Sequence, residues 1–328
     1  MKMKKTLHVL LILLLGLSLL AACGSNNDTS EEENNTDDAS ENLSPTGETI
    51  TIGTLPAEGS LPIILALEKG YFEDLGVNVE IKTFTSPNDR NVALQAGELD
   101  GTIGDVMTTA AFVDRGIALK ITSDINEDFK ILSSPDSGIT SMNELAGQDV
   151  SLVPNFILEY IMDEFAAEGD FTYTIVEIPS FAGRAEALLE NQIDGVIFTE
   201  PQAGLLVQQG AHLLGSSKEA GIKGGTLLFT EETITDYPAD LTAFYQAYNQ
   251  AVDYMNKTDA TEYSDILTTY QFPEAMSTYL NNKPDPYEHA GVIDEDQFNR
   301  IIEWTESKGQ ITSSYTYDQL TDFSFINK

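Results

Sequence analysis

The segment Ser86-Pro87-Asn88-Asp89-Arg90-Asn91-Val92-Ala93-Leu94 returns as Ser180-Phe181-Ala182-Gly183-Arg184-Ala185-Glu186-Ala187-Leu188, an offset of 94 residues. At the same offset, Leu99-Asp100-Gly101-Thr102-Ile103 is echoed by Ile193-Asp194-Gly195-Val196-Ile197. Each copy reads as a loop, an amphipathic helix, a tight Asp-Gly turn and a buried strand. A single repetition is too few for a solenoid, in which stacked neighbours bury a continuous core. Two matched lobes of βαβ construction with a groove between them fit the pattern.

The rest of the chain agrees. Short β-branched runs, Thr49-Ile50-Thr51-Ile52-Gly53, Val77-Asn78-Val79-Glu80-Ile81 and Thr102-Ile103, alternate with helical stretches, which predicts an α/β fold with largely parallel sheets. The body beyond residue 48 is longer than one core usually supports, so two domains are expected. The first helix, from about Leu61 to Lys69, meets a stop signal at Gly70. Lobe one is expected over residues 49–130 and 229–328, and lobe two, with the crossings between them, over 131–228. The chain would return to lobe one through Thr226-Leu227-Leu228-Phe229. Helical stretches at Leu241–Met255, Glu262–Tyr270 and Asp296–Lys308 should then pack on lobe one, with Trp304 as a packing residue.

At the N-terminus Lys2, Lys4 and Lys5 precede an apolar run from Val9 to Ala22. Gly16 and Ser18 interrupt it, and it falls short of the roughly twenty apolar residues that span a bilayer. Residues 1–22 therefore read as a signal peptide. The cleavage-site stretch Leu20-Ala21-Ala22-Cys23 resembles a bacterial lipobox, which implies a diacylated Cys23 and a lipid anchor on the extracytoplasmic face of the cell membrane. Cys23 is the sole cysteine, so no disulfide forms within a monomer. Residues 23–48 are almost devoid of apolar side chains and read as the lipidated start of an acidic tether. The formal charge of −36 makes nucleic acid and anionic lipid surfaces improbable partners and suggests a solvated acidic surface suited to salty or alkaline surroundings.

These features together resemble one family, the solute-binding proteins for sulfonates, nitrate and thiamine precursors, the SsuA or NMT1/THI5-like group. Its marks here are Leu61-Pro62-Ile63-Ile64-Leu65-Ala66-Leu67-Glu68-Lys69-Gly70-Tyr71-Phe72, the Ala93-Leu94 to Leu99-Asp100-Gly101 segment, Gly138-Ile139 followed by Asn143-Glu144-Leu145-Ala146-Gly147, and Phe198-Thr199-Glu200-Pro201. The resemblance covers nearly all of the body. It implies a type II periplasmic-binding-protein fold, two α/β lobes joined by a two-strand hinge. It also implies a monomer that serves an ABC permease and its ATPase, with a small solute in the cleft: a sulfonate-like anion or a pyrimidine or thiamine-precursor-like heterocycle.

In open α/β sheets, ligands sit beyond the carboxyl ends of strands, beside helix N-termini. That rule selects the loops Pro56–Leu61, Ser86–Arg90, Gly104–Met107, Val153–Phe156, Ser180–Arg184 and Thr199–Pro201. Within them Ser60, Asn88 and Asn155 are candidate donors to an oxyanion, or else helix caps. Arg90 and Arg184 occupy equivalent places in the repeat, and each offers either an anion-binding fork or a structural ion pair with a neighbouring carboxylate. Phe156 and Tyr160, four apart on one helix face, are candidates for stacking on a flat ligand, or for a core pair. Glu58, Asp105 and Glu200 would bring negative charge to the same groove, in conflict with a bare anion.

Motifs for catalysis, metals or cofactors are missing. No HExxH, GxSxG, Walker or paired-cysteine motif is present, and His212 and His289 stand alone. An enzyme of the same fold, such as a pyrimidine synthase, is the rival reading. The cysteine-rich motif of that synthase has no counterpart in a cysteine-free body. A receptor that presents its ligand to a membrane sensor is the third.

Overall fold

Alternating burial along Thr49-Ile50-Thr51-Ile52, with Ile50 and Ile52 in the core, makes a strand of the first apolar run. From that strand a computed structural model traces two lobes; it describes residues 44–283 and 285–326. Residues 1–22, Cys23 and most of the expected tether lie outside the described residues.

Along the chain the elements are β1 (Thr49–Thr54), α1 (Leu61–Glu68), α2 (Tyr71–Asp74), β2 (Asn78–Thr83), α3 (Pro87–Gln95), β3 (Gly101–Asp105), α4 (Val106–Asp114) and β4 (Leu119–Asp124). The chain crosses over and continues with β5 (Lys130–Ser133), β6 (Asp149–Ser151), α5 (Ile157–Glu168), β7 (Thr174–Val176), α6 (Phe181–Leu189), β8 (Gly195–Phe198), α7 (Gln202–Gln208) and β9 (His212–Ser216). It then returns as β10 (Gly225–Thr230), α8 (Glu231–Asp236), α9 (Pro238–Lys257), α10 (Ser264–Thr269), α11 (Ala275–Asn282), α12 (Glu295–Ser307) and α13 (Tyr317–Leu320). Among the described residues, no helix is long and apolar enough to cross a membrane.

The two sheets have one topology. Their orders are β2-β1-β3-β10-β4 and β7-β6-β8-β5-β9, so each strand has a counterpart in the other lobe. The first three of each are parallel, and the fourth runs antiparallel to its neighbours. That fourth strand, β10 or β5, is in each case the one arriving from the opposite lobe. The repeated Asp-Gly turn has the same job in both copies. Asp100 Oδ2 accepts from Thr51 N (2.7 Å), and Asp194 Oδ2 accepts from Asp149 N (3.0 Å), pinning each turn to the strand at the same place in its sheet, β1 or β6.

Strand pairing moves the expected boundaries. The chain changes sheets between Asp124 and Lys130 and again between Ser216 and Gly225, so Lys130 lies in the lobe-two sheet and residues 225–228 in that of lobe one. Apolar runs reveal strands but not their partners. The two crossings are joined by Phe129 N donating to Ser217 Oγ (2.9 Å) and Ser217 N to Phe129 O (2.8 Å). The last residues of the expected tether are also fixed to the body. Thr46 N donates to the Asp240 carboxylate at 2.9 and 3.0 Å, and Asn78 Nδ2 to Gly47 O at 2.5 Å.

The C-terminal helices divide. α9 packs on α1 and α2, and Phe244 stacks on Phe72 with ring centroids 5.0 Å apart. α12 lies against α4 of lobe one, as expected, and also shares a core with Ile157, Tyr160 and Ile161 of α5 in lobe two. Trp304 meets the Tyr160 ring edge-on at 5.6 Å and donates to Asp163 Oδ2 at 2.9 Å. Lys308 pairs with Glu159 and Asp163 at 2.6 and 2.7 Å.

Candidate functional site

All six loops chosen by the strand-end rule contribute to the wall of one cavity between the lobes, of about 100 Å³. A water needs roughly 10–15 Å³ on that measure, so the space admits several waters or a small ring. The walls are mostly apolar. Phe156, Phe181 and Phe198 of lobe two, with Phe129 from the crossing, supply the aromatic surface.

Arg184 dominates the electrostatics. Ser180 caps α6 by accepting from Gly183 N at 3.0 Å, and one turn later Arg184 places its guanidinium against the rings of Phe181 and Phe198, 5.2 and 4.9 Å from their centroids. The side chain is 1% exposed, and none of its three nitrogens has a hydrogen-bond partner among the described residues. Burial lowers its pKa to about 10, which leaves it charged at neutral pH. Stacking on aromatic faces contributes up to about 2 kcal/mol, well short of the cost of burying an unpaired charge.

Its repeat partner is spent otherwise. Arg90 Nη1 donates to Ile103 O (2.5 Å), and Nη2 and Nε donate to Asn91 Oδ1 (2.7 and 3.0 Å). Burial lowers its pKa to about 10, with the Asp105 charge acting against the shift. Asp105 caps α4 by accepting from Thr108 N at 2.7 Å. Its other oxygen accepts from Ile157 N at 3.3 Å, across the cleft at the start of α5. Burial raises its pKa, opposed by Thr108 and Arg90. Two further hydrogen bonds cross the cleft, Glu58 N to Glu200 O (3.1 Å) and Gln202 Nε2 to Pro56 O (3.1 Å). The lobes are thus in contact around the cavity.

Of the candidate residues, Ser60, Arg90, Asp105, Phe156 and Arg184 line this cavity, whereas Glu58, Asn88, Asn155, Tyr160 and Glu200 do not. Ser60 spends its hydroxyl on Leu55 O (2.7 Å). Glu58 turns to the C-terminal segment, accepting from the hydroxyls of Tyr279 (2.9 Å) and Tyr287 (3.0 Å). Glu200 pairs with Lys130 at 2.7 Å. Asn88 and Asn155 line a separate recess, and Asn155 takes a positive φ of 68°, a conformation asparagine tolerates. Tyr160 departs for a local reason. Phe156 is the N-cap residue in extended conformation, outside the helix, so four-residue spacing does not align it with Tyr160, whose hydroxyl accepts from Gln297 Nε2 (2.7 Å).

Glu127, Phe129, Phe181 and Phe198 were not among the candidates. The two phenylalanines of lobe two stand in the quoted motifs beside Arg184 and Thr199, a signal that was present. Glu127 lies in the crossing, where no periodic pattern marks it. It is buried, Oε1 accepts from Gly224 N (3.1 Å) and Gly225 N (2.8 Å), and Oε2 has no partner among the described residues. Burial raises its carboxyl to about 7, against the Gly225 and Gly224 hydrogen bonds and the Lys223 charge.

Glu58 is likewise raised to about 7 by burial, although Tyr279, Lys283, Tyr287 and Lys130 all favour its charged form. Both carboxyls hold a proton more tightly folded than unfolded. Their contribution to stability is therefore complete below the unfolded value near 4.5 and is lost as pH rises through about 7. Glu58→Gln is expected to flatten the decline in stability between pH 4.5 and 8 by on the order of 2–3 kcal/mol relative to the parent. Urea midpoints across that range measure it; superimposable pH profiles would mean that Glu58 ionises freely.

Two α/β lobes of one topology, two crossings and a cavity at the carboxyl ends of the parallel strands define a clamp of the type II periplasmic-binding-protein class. Residues 58–260 match the family described as NMT1/THI5 like. The chain belongs to that family. It is 26% identical over 240 residues, 68% of each chain, to the 4-amino-5-hydroxymethyl-2-methylpyrimidine phosphate synthase of Schizosaccharomyces pombe. It is 25% identical over 273 residues to the nitrate import ATP-binding protein NrtC of Synechococcus elongatus, covering 76% of this chain and 41% of that one. The periplasmic aliphatic sulphonate-binding protein SsuA of Escherichia coli superposes with a TM-score of 0.71 at 14% identity, covering 86% of this chain and 99% of that one.

Proposed function

We propose that this protein is the solute-binding component of an ABC importer, capturing a small, flat organic solute with an anionic or strongly accepting group. The observation that carries the reading is Arg184, a buried guanidinium with all three nitrogens unpaired and facing a cavity between two lobes. A carboxylate or sulfonate supplies the acceptors it lacks, and the phenylalanines cover the ring. A solute touching both lobes favours the closed arrangement by its greater affinity for it, and the permease with its ATPase would recognise that arrangement. In this reading lobe one comprises residues 44–124 and 225–326, lobe two residues 130–216, and the protein works as a monomer. A lipid on Cys23 holds it to the extracytoplasmic face of the membrane, with the acidic segment that follows as spacer.

Kinship to a synthase favours a second reading, in which the cavity converts its ligand. The cavity walls hold no histidine or cysteine. His212 instead contacts Pro135 O (3.2 Å), and His289 contacts Asp253 (2.9 Å). Thermal unfolding of the purified protein against sulfonates, nitrate, aromatic acids, pyrimidines and thiamine precursors tests both. Under the importer reading, the midpoint rises with the logarithm of concentration for at least one class, and mass spectrometry recovers the solute intact. No shift from any of them rules out solute capture as stated, and a chemically altered solute transfers the protein to the enzymes.

A further inference from the structure

We infer that the solute carries, opposite its acidic group, a hydrogen-bond donor of the amine or amidine type that is read by Glu127 on the hinge. The inference rests on the solute-capture reading and names the ligand class. Two charged side chains of the cavity wall are more than nine-tenths buried and have unpartnered atoms, Arg184 in lobe two and Glu127 in the first crossing. Glu127 Oε2 and the three Arg184 nitrogens have no hydrogen-bond partner among the described residues, so the two side chains do not satisfy each other. The remaining charged groups of the wall are accounted for, since both Asp105 oxygens accept backbone N–H groups and every Arg90 nitrogen has a partner.

A buried acceptor left unsatisfied costs free energy until a donor meets it. Glu127 is mounted to make that meeting consequential. Its Oε1 holds Gly224 and Gly225 where the chain returns to lobe one, and a Cβ at Gly225 would lie 2.0 Å from Glu127 Oε2, so a side chain there would displace the carboxylate from where the two crossings meet. A donor on Oε2 thereby engages both crossings through one carboxylate. The acidic group of the solute faces Arg184 and its donor faces the hinge, with the ring between the phenylalanines. The earlier conflict between an anionic ligand and an acidic groove also resolves. Glu58 and Glu200 turn away, and the one free carboxylate oxygen meets a donor.

Affinities of the ortho, meta and para aminobenzoates and aminobenzenesulfonates are to be compared with those of benzoate, benzenesulfonate and aniline, by calorimetry on the intact protein. At least one amino acid isomer is expected to bind ten-fold or more tightly than both singly functional controls. Glu127→Gln keeps an oxygen for Gly224 and Gly225 but turns the free acceptor into a donor. It is expected to erase the amino advantage while leaving the affinity for the unsubstituted acid within about two-fold. If the unsubstituted acids bind as tightly as every amino isomer, or if Glu127→Gln leaves the preference intact, the donor assignment is wrong although solute capture stands. If neither these acids nor the broader panel binds, solute capture itself fails. The parent protein alone decides the first comparison should Glu127→Gln not fold.

Discussion

Arg184→Met is expected to abolish solute binding and at the same time to stabilise the ligand-free protein. The guanidinium is buried among Phe181 and Phe198 with no hydrogen-bond partner among the described residues, so the free protein bears an uncompensated desolvation cost. Methionine fills similar volume, tolerates aromatic neighbours and carries no charge. Replacing buried charge by apolar side chains of similar size gains about 1–4 kcal/mol in favourable cases, and an increase of about 1–3 kcal/mol is expected here. Losing charge-assisted hydrogen bonds to an anionic group costs at least about 3 kcal/mol, or more than about a hundred-fold in affinity. Such a trade of stability for function is characteristic of binding sites. Calorimetry with any identified solute and urea unfolding without it measure the two effects. Unchanged affinity would remove Arg184 from the site, and a lowered urea midpoint would mean that its charge is compensated in the free state. Arg90→Met is expected to behave oppositely in stability, because it removes the hydrogen bond that Ile103 O receives and the positive charge that offsets the buried Asp105 carboxylate.

The second large effect separates two glycines that the repeat makes equivalent. A Cβ at Gly101 would lie 2.5 and 2.6 Å from ring carbons of Phe229 and 2.8 Å from Leu228 O, all in the middle of the lobe-one sheet. At Gly195 the nearest atoms are Leu145 Cδ2 at 3.1 Å and Val150 Cγ2 at 3.3 Å, side-chain methyls that need to give by only a few tenths of an ångström. Gly101→Ala is therefore expected to cost about 3 kcal/mol or more, lowering the unfolding midpoint by several degrees, whereas Gly195→Ala costs about 1 kcal/mol or less. Thermal and urea unfolding of the two variants check this. Equal losses would mean that the β3–β10 pairing relaxes as readily as the β6–β8 pairing.

Much of the architecture was legible because it is written in local chemistry. Asp-Gly turns, helix caps at Ser86 and Ser180 and β-branched runs are read within a few residues, and repeating them 94 residues apart requires two similar lobes. The six loops of the cavity were legible too, since parallel strands present their carboxyl ends together. Less legible were the directions of side chains within those loops. Glu58 and Glu200 sit beside the cleft in sequence, but the hydroxyls of Tyr279 and Tyr287, more than two hundred residues away from Glu58, and the ammonium of Lys130 draw them outward. The crossings were least legible, because Ser123-Asp124-Ile125-Asn126-Glu127 carries no period, and its carboxylate acquires meaning only against Gly224 and Gly225.

The sequence by itself determined that there are two lobes of like construction, where their cavity-facing loops fall, and that an arginine stands at the same place in each. Only the tertiary structure decided between the two arginines. In lobe one a carbonyl and an amide oxygen consume the guanidinium, while in lobe two a pair of phenylalanine rings surrounds it and offers no acceptor. Propensity and spacing act over a few residues, whereas whether a buried charge is satisfied depends on atoms that the fold brings in from far along the chain.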